Sequence, residues 1–418
     1  MPALLPKTGA VADPAARQVD PAGCSTAVTV FAGLGAAFTI PVVGEFPAGE
    51  FFLAAAAAWA LLCAAAHQRW PGRLWRERFF WVLLGGQSIA FLGYVVADFT
   101  WHSTWHDIAR GWGRMIFLAI DVVAVAYLFS RSARNLPWML AAQLAGGLVA
   151  LAVGGAQFGD VWKFGYGLPA TYAALAIAAP GGPLAVSAAA ATMGVVNFAL
   201  DFRSVAGLCL VLAAAAALHL FTPALRRAFL PLALAAAAAL GVVSYEQTRT
   251  GAVIHRATRS DVDRVSMLEA AAEAFAASPV IGHGSWFSRS RVYDDFLQIR
   301  DDRAKEAGVG GFAGPNEEPE NVALHSQLLV ALAEGGLPGG AFFLAYGVGL
   351  LWALHELAVV RAWQRDTGVR LFLLLLAAWN LAMSPFSGAH RIYIATAAGL
   401  VLLLQAERRT PAEGEARS

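Results

Sequence analysis

Two arginines and a histidine, Arg203, Arg264 and His325, stand out as groups able to do chemistry. Arginine presents a planar fork of donors that matches phosphate oxygens and stays charged at physiological pH. An unperturbed imidazole titrates near neutrality and can take a proton from a hydroxyl. Each residue also has a plainer reading. Arg203, in Asp201-Phe202-Arg203-Ser204, either binds an anion or snorkels to a membrane interface beside Asp201. Arg264 either joins that anion site or is a solvated helix-face charge with Asp261 three residues back. His325 lies in Ala323-Leu324-His325-Ser326-Gln327-Leu328-Leu329 and is either a base or a satisfied structural histidine. Glu334 either orients it or stands on the surface before Gly335-Gly336. Arg391, with His390, either adds positive charge to the anion site or anchors a helix end.

Other polar groups read more simply. His283, between Gly282 and Gly284, is a turn residue. The pairs Asp294-Asp295 and Asp301-Asp302 lack a third ligand at a telling spacing, so a solvated charged face is expected and no metal site. Cys24, Cys63 and Cys209 lie in or beside apolar runs and indicate neither a disulfide framework nor a metal cluster. No Walker A, H-E-x-x-H or G-x-S-x-G motif is present, so neither ATP nor zinc chemistry is advertised and no cofactor is expected. Asp121, midway through an apolar run, is costly in lipid and is either functional or bonded inside the helix bundle.

The elements that must position these groups follow from composition. The chain is 58% hydrophobic and 14% charged, against roughly 45–50% and about 25% in soluble domains. Such an excess of apolar surface calls for lipid. The formal net charge of +1 offers no footprint for nucleic acid, which is not an expected partner. A ruler of about 20 apolar residues per crossing picks out 26–46, 50–66, 79–97, 114–130, 137–155, 165–180, 183–199, 203–222, 228–244, 337–360, 369–384 and 390–406. The expected fold is therefore an all-α polytopic bundle of about twelve transmembrane helices. The sixth and seventh, joined by Pro180-Gly181-Gly182-Pro183, either cross fully or form a re-entrant pair.

Residues 1–23 lack a cleavable apolar core and read as a cytoplasmic tail. Basic residues gather in the segments 67–78, 131–134, 226–227, 361–370 and 408–417, while the short connections on the other side, to which Arg110 and Arg114 are assigned, carry few. Short basic loops stay inside, which puts both termini in the cytoplasm. The organisation is then a tail 1–23, spans one to nine in 24–244, a large loop 245–336 outside the cytoplasm, spans ten to twelve in 337–406 and a tail 407–418. In the loop, Ser260 and Asp263 resemble a capping box ahead of an amphipathic helix with Val265, Leu268, Ala272 and Phe275 on one face. That helix ends at Ser278-Pro279. A polar, charge-rich middle, 288–320, is expected to be mobile, and a second helix from near Asn321 carries His325 and stops at Gly335-Gly336.

Three stretches in order, Phe202-Arg203-Ser204-Val205-Ala206-Gly207; Arg264 with 270–275 and Ser278-Pro279-Val280-Ile281-Gly282-His283-Gly284; and His325-Ser326-Gln327-Leu328-Leu329 leading to Glu334-Gly335-Gly336-Leu337-Pro338-Gly339, resemble the bacterial O-antigen ligase and polymerase superfamily. Met267 stands where that family often has an aromatic residue, and Ser326 where it often has Asn. The resemblance implies a metal-independent inverting glycosyltransferase of the inner membrane with its active site facing the periplasm. It would move a glycan from undecaprenyl diphosphate to an acceptor hydroxyl. In that scheme His325 is the general base, Arg203 and Arg264, with a weaker part for Arg391, bind the donor diphosphate, and Glu334, Gly282 and Gly284 support them. Partners would be the undecaprenyl-diphosphate-linked glycan donor, a lipid A core or lipid-linked glycan acceptor, and membrane lipid. Ligase and polymerase branches share this chemistry and differ in acceptor, with the ligase favoured. A transporter or flippase, showing broken helices and midplane groups, and a non-catalytic export scaffold are the rival readings.

Orientation is checked directly. Single cysteines at Ser288 and Ala313, with Cys24, Cys63 and Cys209 replaced, should react with an impermeant thiol reagent in intact spheroplasts, and one at Ser132 should not. Labelling confined to Ser132 would invert the topology.

Overall fold

The computed structural model describes residues 22–41, 45–67, 72–154, 161–228, 254–285, 291–306, 326–384, 386 and 388–415. Among them the chain is helical apart from one antiparallel hairpin, β1 (Thr39–Pro41) with β2 (Glu45–Pro47), in which Ile40 faces Phe46. The helices are α1 (Ala22–Gly35), α2 (Gly49–His67), α3 (Arg78–Trp101), α4 (Trp105–Arg131), α5 (Asn135–Gly154), α6 (Gly167–Ala178), α7 (Gly182–Ala199) and α8 (Arg203–Leu218). After them come α9 (Ile254–Ala277), α10 (Arg291–Glu306), α11 (Gln327–Gly339), α12 (Ala341–His355), α13 (Thr367–Met383) and α14 (Gly388–Glu415).

Six stretches among the described residues are long and apolar enough to cross a membrane: Gly49–Ala66, Arg78–Trp101, Trp105–Arg131, Asn135–Gly154, Gly167–Ala199 and Ala341–Val360. Gly23–Gly35, Arg203–Leu218 and Thr367–Met383 are apolar but shorter. The expected first span, 26–46, is not one helix: α1 ends at Gly35 and the hairpin follows. Proline lacks the N–H that a helix interior requires, and Pro41 sits where the helix would have continued. The sixth and seventh segments form one apolar stretch broken by a 3₁₀ turn, Ala179–Gly181, and by Gly182 at φ 75°. The ninth, 228–244, lies outside the described residues but for its first position.

The described part of the segment between the spans carries two helices, α9 and α10. α9 begins at Ile254, so Ser260 lies inside the helix rather than at its start. Its packed side is Val262, Ser266, Ala270, Ala271 and Ala274, whereas Val265 and Ala272 are exposed. Small side chains let a neighbouring helix come close, and here they outrank the larger apolar ones in choosing the face. The polar middle contains α10, where Phe296, Arg300 and Ala304 are buried one turn apart and Arg303 reaches Glu269 of α9 at 2.6 Å. Four-residue spacing puts one side of a charged helix against its partner.

Glycines set the crossings in the bundle. A Cβ on Gly33 would lie 2.6 Å from Ala142 Cβ, and one on Gly146 would run into the Leu34 carbonyl. These two residues let α1 and α5 touch backbone to backbone. At the end of the bundle where α14 finishes, Arg361 binds Glu407 at 2.6 Å, Arg370 binds Asp366 at 2.7 Å, and Arg409 reaches Glu77 at 3.3 Å. Burial holds the Glu77 carboxyl above the usual carboxylate range, with Arg409 opposing the shift.

The α1–α5 contact predicts a contrast between neighbours. Gly146→Leu should lower stability by about 1–3 kcal/mol through overpacking, whereas Gly147, with open space at its Cβ position, should accept leucine without loss. Unfolding midpoints of the two purified variants in detergent measure this.

Candidate functional site

A broken helix organises the candidate site. Ser326 caps α11 by accepting from Leu329 N–H at 3.1 Å, and the helix runs until Gly336 takes φ 65°. Pro338 has no N–H to give to the Glu334 carbonyl, and Leu337 N–H turns away to Pro279 O at 2.8 Å. Two carbonyls in the last helical turn are thereby left without helical partners. The turn after α9 supplies them: His283 N–H donates to Ala333 O at 3.0 Å and Gly284 N–H to Glu334 O at 2.9 Å. Backbone groups removed from water need such partners. Gly282 and Gly336, at φ 78° and 65°, make the approach feasible, since a Cβ on Gly282 would strike Glu334 O and one on Gly336 would strike Val280 O. The stretches 279–284 and 333–337, separate in sequence, are thus joined by backbone hydrogen bonds.

Below this junction the Glu334 side chain turns into the bundle. Its carboxylate accepts from Arg114 Nη2 at 2.5 Å and from the Tyr94 hydroxyl at 2.7 Å. Arg114 also donates to Phe386 O at 3.3 Å and lies over the Phe386 ring. Both ends of the pair are buried, at 7% and 6% side-chain exposure. Glu334 is therefore not a surface residue before a turn, and its described partners are Arg114 and Tyr94. Arg114, expected in a short connection, lies in the third turn of α4, because that helix starts at Trp105, capped by Thr104. Asp121 is two turns further along the same helix, fully buried, and its carboxylate oxygens make no hydrogen bond among the described residues.

The junction is tied to α3 and α4 by a second carboxylate. Asp98 accepts from Ser285 N–H at 2.5 Å, Ser285 Oγ at 2.7 Å and Trp112 Nε1 at 2.8 Å. Gly284 packs so closely here that a Cβ would lie 3.0 Å from Asp98 Oδ1 and 2.5 Å from Ser103 Oγ. Trp101 Nε1 donates to Gly282 O at 2.8 Å, and His283 Nε2 contacts Ala274 O at 2.8 Å. His283 is thus seated in its turn by α9 and Trp101. Asp98, Tyr94, Trp112 and Arg114 went unread in the sequence as parts of this assembly. One signal was available: Arg114, Leu118 and Asp121 recur at helical spacing in an apolar run, and ionisable residues inside such runs carry functional weight.

The remaining expected residues are placed as follows. Arg203 is the first residue of α8 and pairs with Asp201 at 3.0 Å, with 31% and 53% of the side chains exposed. Arg264 lies in the third turn of α9, half-buried, on the helix that packs against α10 and α11. Arg391 is enclosed in a two-pronged pair with Glu50, at 2.6 and 2.8 Å, that joins α14 to α2. Its fork is committed to that carboxylate. His325 lies outside the described residues, and the helix expected to carry it begins two residues later, at Gln327. Asp302 is engaged by Lys305 at 3.2 Å.

Six helical stretches of spanning length among the described residues, with the turn after α9 bonded to a broken helix over a buried ion pair, mark a multi-pass membrane protein. The O-antigen ligase family matches residues 188–344. That match supports membership of the O-antigen ligase and polymerase superfamily, whose members are glycosyltransferase-like enzymes acting on lipid-linked glycans. No curated protein matches the chain. The matched stretch contains Arg203, Arg264, Gly282, Gly284, His325 and Glu334.

The buried pair predicts an asymmetric mutational response. Glu334→Leu should cost about 3–5 kcal/mol because it strands a charged Arg114 in the bundle. The double variant Arg114→Met with Glu334→Leu should recover most of that loss. Denaturation of both in detergent measures the difference, and equal losses would show that the pair is not the source.

Proposed function

We propose that the chain is an O-antigen ligase, joining a glycan carried on undecaprenyl diphosphate to a sugar hydroxyl of the lipid A core at the periplasmic face of the inner membrane. The observation that carries this reading is the family match over residues 188–344, which takes in both arginines, the histidine and both halves of the bonded junction. The fold would be completed by about twelve crossings, with 245–336 outside the cytoplasm.

The chemistry asks little of a cofactor. The acceptor oxygen attacks the anomeric carbon from the face opposite the diphosphate, the bond from that carbon to the leaving oxygen breaks, and the configuration inverts. Negative charge grows on the departing lipid diphosphate. Arg203 and Arg264 stabilise that charge more in the transition state than in the ground state. Arg203 can exchange Asp201 for a phosphate at little cost, because a half-exposed pair is weak. His325 takes the hydroxyl proton. Arg391 stays with Glu50 and contributes to the donor site only as a charge at one remove. A polymerase would use the same steps with a second lipid-linked repeat as acceptor. Glycan accumulating on lipid carriers instead of on lipid A core would favour it.

His325→Ala should keep membrane insertion and donor binding but lose about 10²–10⁴ of the transfer rate, the usual share of positioned acid–base catalysis. His325→Gln, able to orient a hydroxyl but not deprotonate it, should be as poor, and near-normal turnover in that variant would remove the base assignment. Arg203→Lys and Arg264→Lys should both be impaired, since lysine keeps the charge and loses the fork. Transfer by purified protein should persist in excess chelator.

A further inference from the structure

The reversal from α7 into α8 occupies only residues 200–202, and Arg203 opens α8 directly after it. Two backbone bonds close the turn: Phe202 N–H donates to Asn197 O at 2.7 Å and Asp201 N–H to Phe198 O at 3.1 Å, with Asp201 at φ 57°. A left-handed residue between bonds of this pattern ends a helix in the Schellman manner, at a position that most often holds glycine. Aspartate enters that region less readily, so the turn needs support from its surroundings.

That support converges on one side chain. Asn197 is fully buried; its Oδ1 accepts from Trp162 Nε1 at 2.9 Å, and its Nδ2 donates to Thr171 Oγ1 at 3.1 Å. Trp162 begins a π-helical turn, Trp162–Tyr166, that runs into α6, and Thr171 Oγ1 passes the chain of bonds on to Gly167 O at 2.7 Å. A Cβ on Gly167 would lie 2.8 Å from Phe202 Cδ1 and 3.1 Å from Trp162 Nε1. Phe202 is thus wedged against the same elements that Asn197 bonds. An amide suits this post because it accepts on one atom and donates on the next; an aspartate would turn a second acceptor towards a threonine hydroxyl whose hydrogen is already given to Gly167. The Arg203 side chain itself is held lightly, by the half-exposed pair with Asp201 at 3.0 Å, so the aim of its fork follows from its backbone.

We propose that Asn197 is a positioning residue of the donor site: its bonds to Trp162 and Thr171 fix the α7–α8 turn so that the Arg203 fork meets the lipid diphosphate in register. The proposal rests on the reading of Arg203 as a diphosphate ligand.

A double-mutant cycle on the purified full-length protein in detergent tests it, with affinity for undecaprenyl diphosphate read by titration calorimetry and melting midpoints taken alongside. Asn197→Leu and Arg203→Lys should each weaken binding about tenfold, as expected when a two-pronged bond to phosphate is lost or misaimed. The double variant should bind no more weakly than the weaker single one, because the aim of an absent fork is immaterial. Losses that multiply in the double variant would overturn the proposal, since Asn197 would then act through something other than Arg203. Trp162→Phe removes only the donor to Asn197; it should shift affinity in the same direction, and it carries the same cycle if Asn197→Leu fails to fold. Gln143→Leu supplies the comparison: it breaks an equally buried bond, Gln143 Nε2 to Thr396 Oγ1 at 3.1 Å between α5 and α14, and should leave the affinity unchanged. An equal loss there would overturn the proposal by tracing the effect to a general loosening of the bundle. In a transfer assay Asn197→Leu should raise the donor KM and leave the acceptor KM near wild type. Wild-type affinity in Asn197→Leu beside a loss in Arg203→Lys would overturn the positioning role alone, whereas wild-type affinity in Arg203→Lys would remove Arg203 from the donor site and the positioning role with it.

Discussion

Arg114 and Glu334 are a full charge pair enclosed in an apolar bundle, and much of the architecture serves to keep them together. A lone ion in such surroundings carries a desolvation cost of several kcal/mol or more. The pair is tolerable because Tyr94 and the Phe386 carbonyl fill further hydrogen-bonding positions on both groups. Those partners come from α3, α4, α11 and the segment entering α14, so one carboxylate draws four parts of the chain to a point. Gly93 and Gly335 let α3 and α11 approach closely enough for the Tyr94 hydroxyl to arrive, a Cβ on Gly93 lying 2.8 Å from Gly335 O.

The same carboxylate sits on the last turn of a helix whose backbone has been opened. Pro338 and the left-handed Gly336 release two carbonyls, and a turn well earlier in the chain, at His283 and Gly284, closes them. Asp98 secures the other side of that turn through Ser285. The loop between the spans is therefore anchored by backbone bonds and buried carboxylates at Ser285, and the chain returns to the bundle at the Ser326 cap.

Three arginines of similar appearance in the sequence meet different fates, and burial decides between them. Arg391 and Glu50 are 4% and 0% exposed, so separating them would leave charges in a medium that does not solvate them. Arg203 and Asp201 remain partly in contact with the surroundings, where such pairs contribute roughly 0–1 kcal/mol. An arginine held so lightly is free to change partners. Arg114, unlike both, serves as the internal counter-ion of Glu334.

The sequence alone settled what the chain must be made of. Apolar runs of spanning length, basic clusters between them and one long polar interval follow from residue types and need no neighbours to be read. Glycines 282, 284 and 336, flanked by Pro279 and Pro338, likewise announced turns, because positive φ and a missing N–H are local properties. The family likeness was legible for the same reason: it resides in short ordered motifs. What the residues touch was decided only in the tertiary structure. Hydropathy cannot tell a surface covered by lipid from one covered by protein, so it chose the larger side chains of α9 where the fold buries Ala270, Ala271 and Ala274. It likewise left Arg114 in a connection and did not pair it with Glu334, since the partner of a buried charge depends on where two helices cross. In an apolar medium that crossing is set by close backbone contact between small residues on different helices, a property that no single stretch of sequence contains.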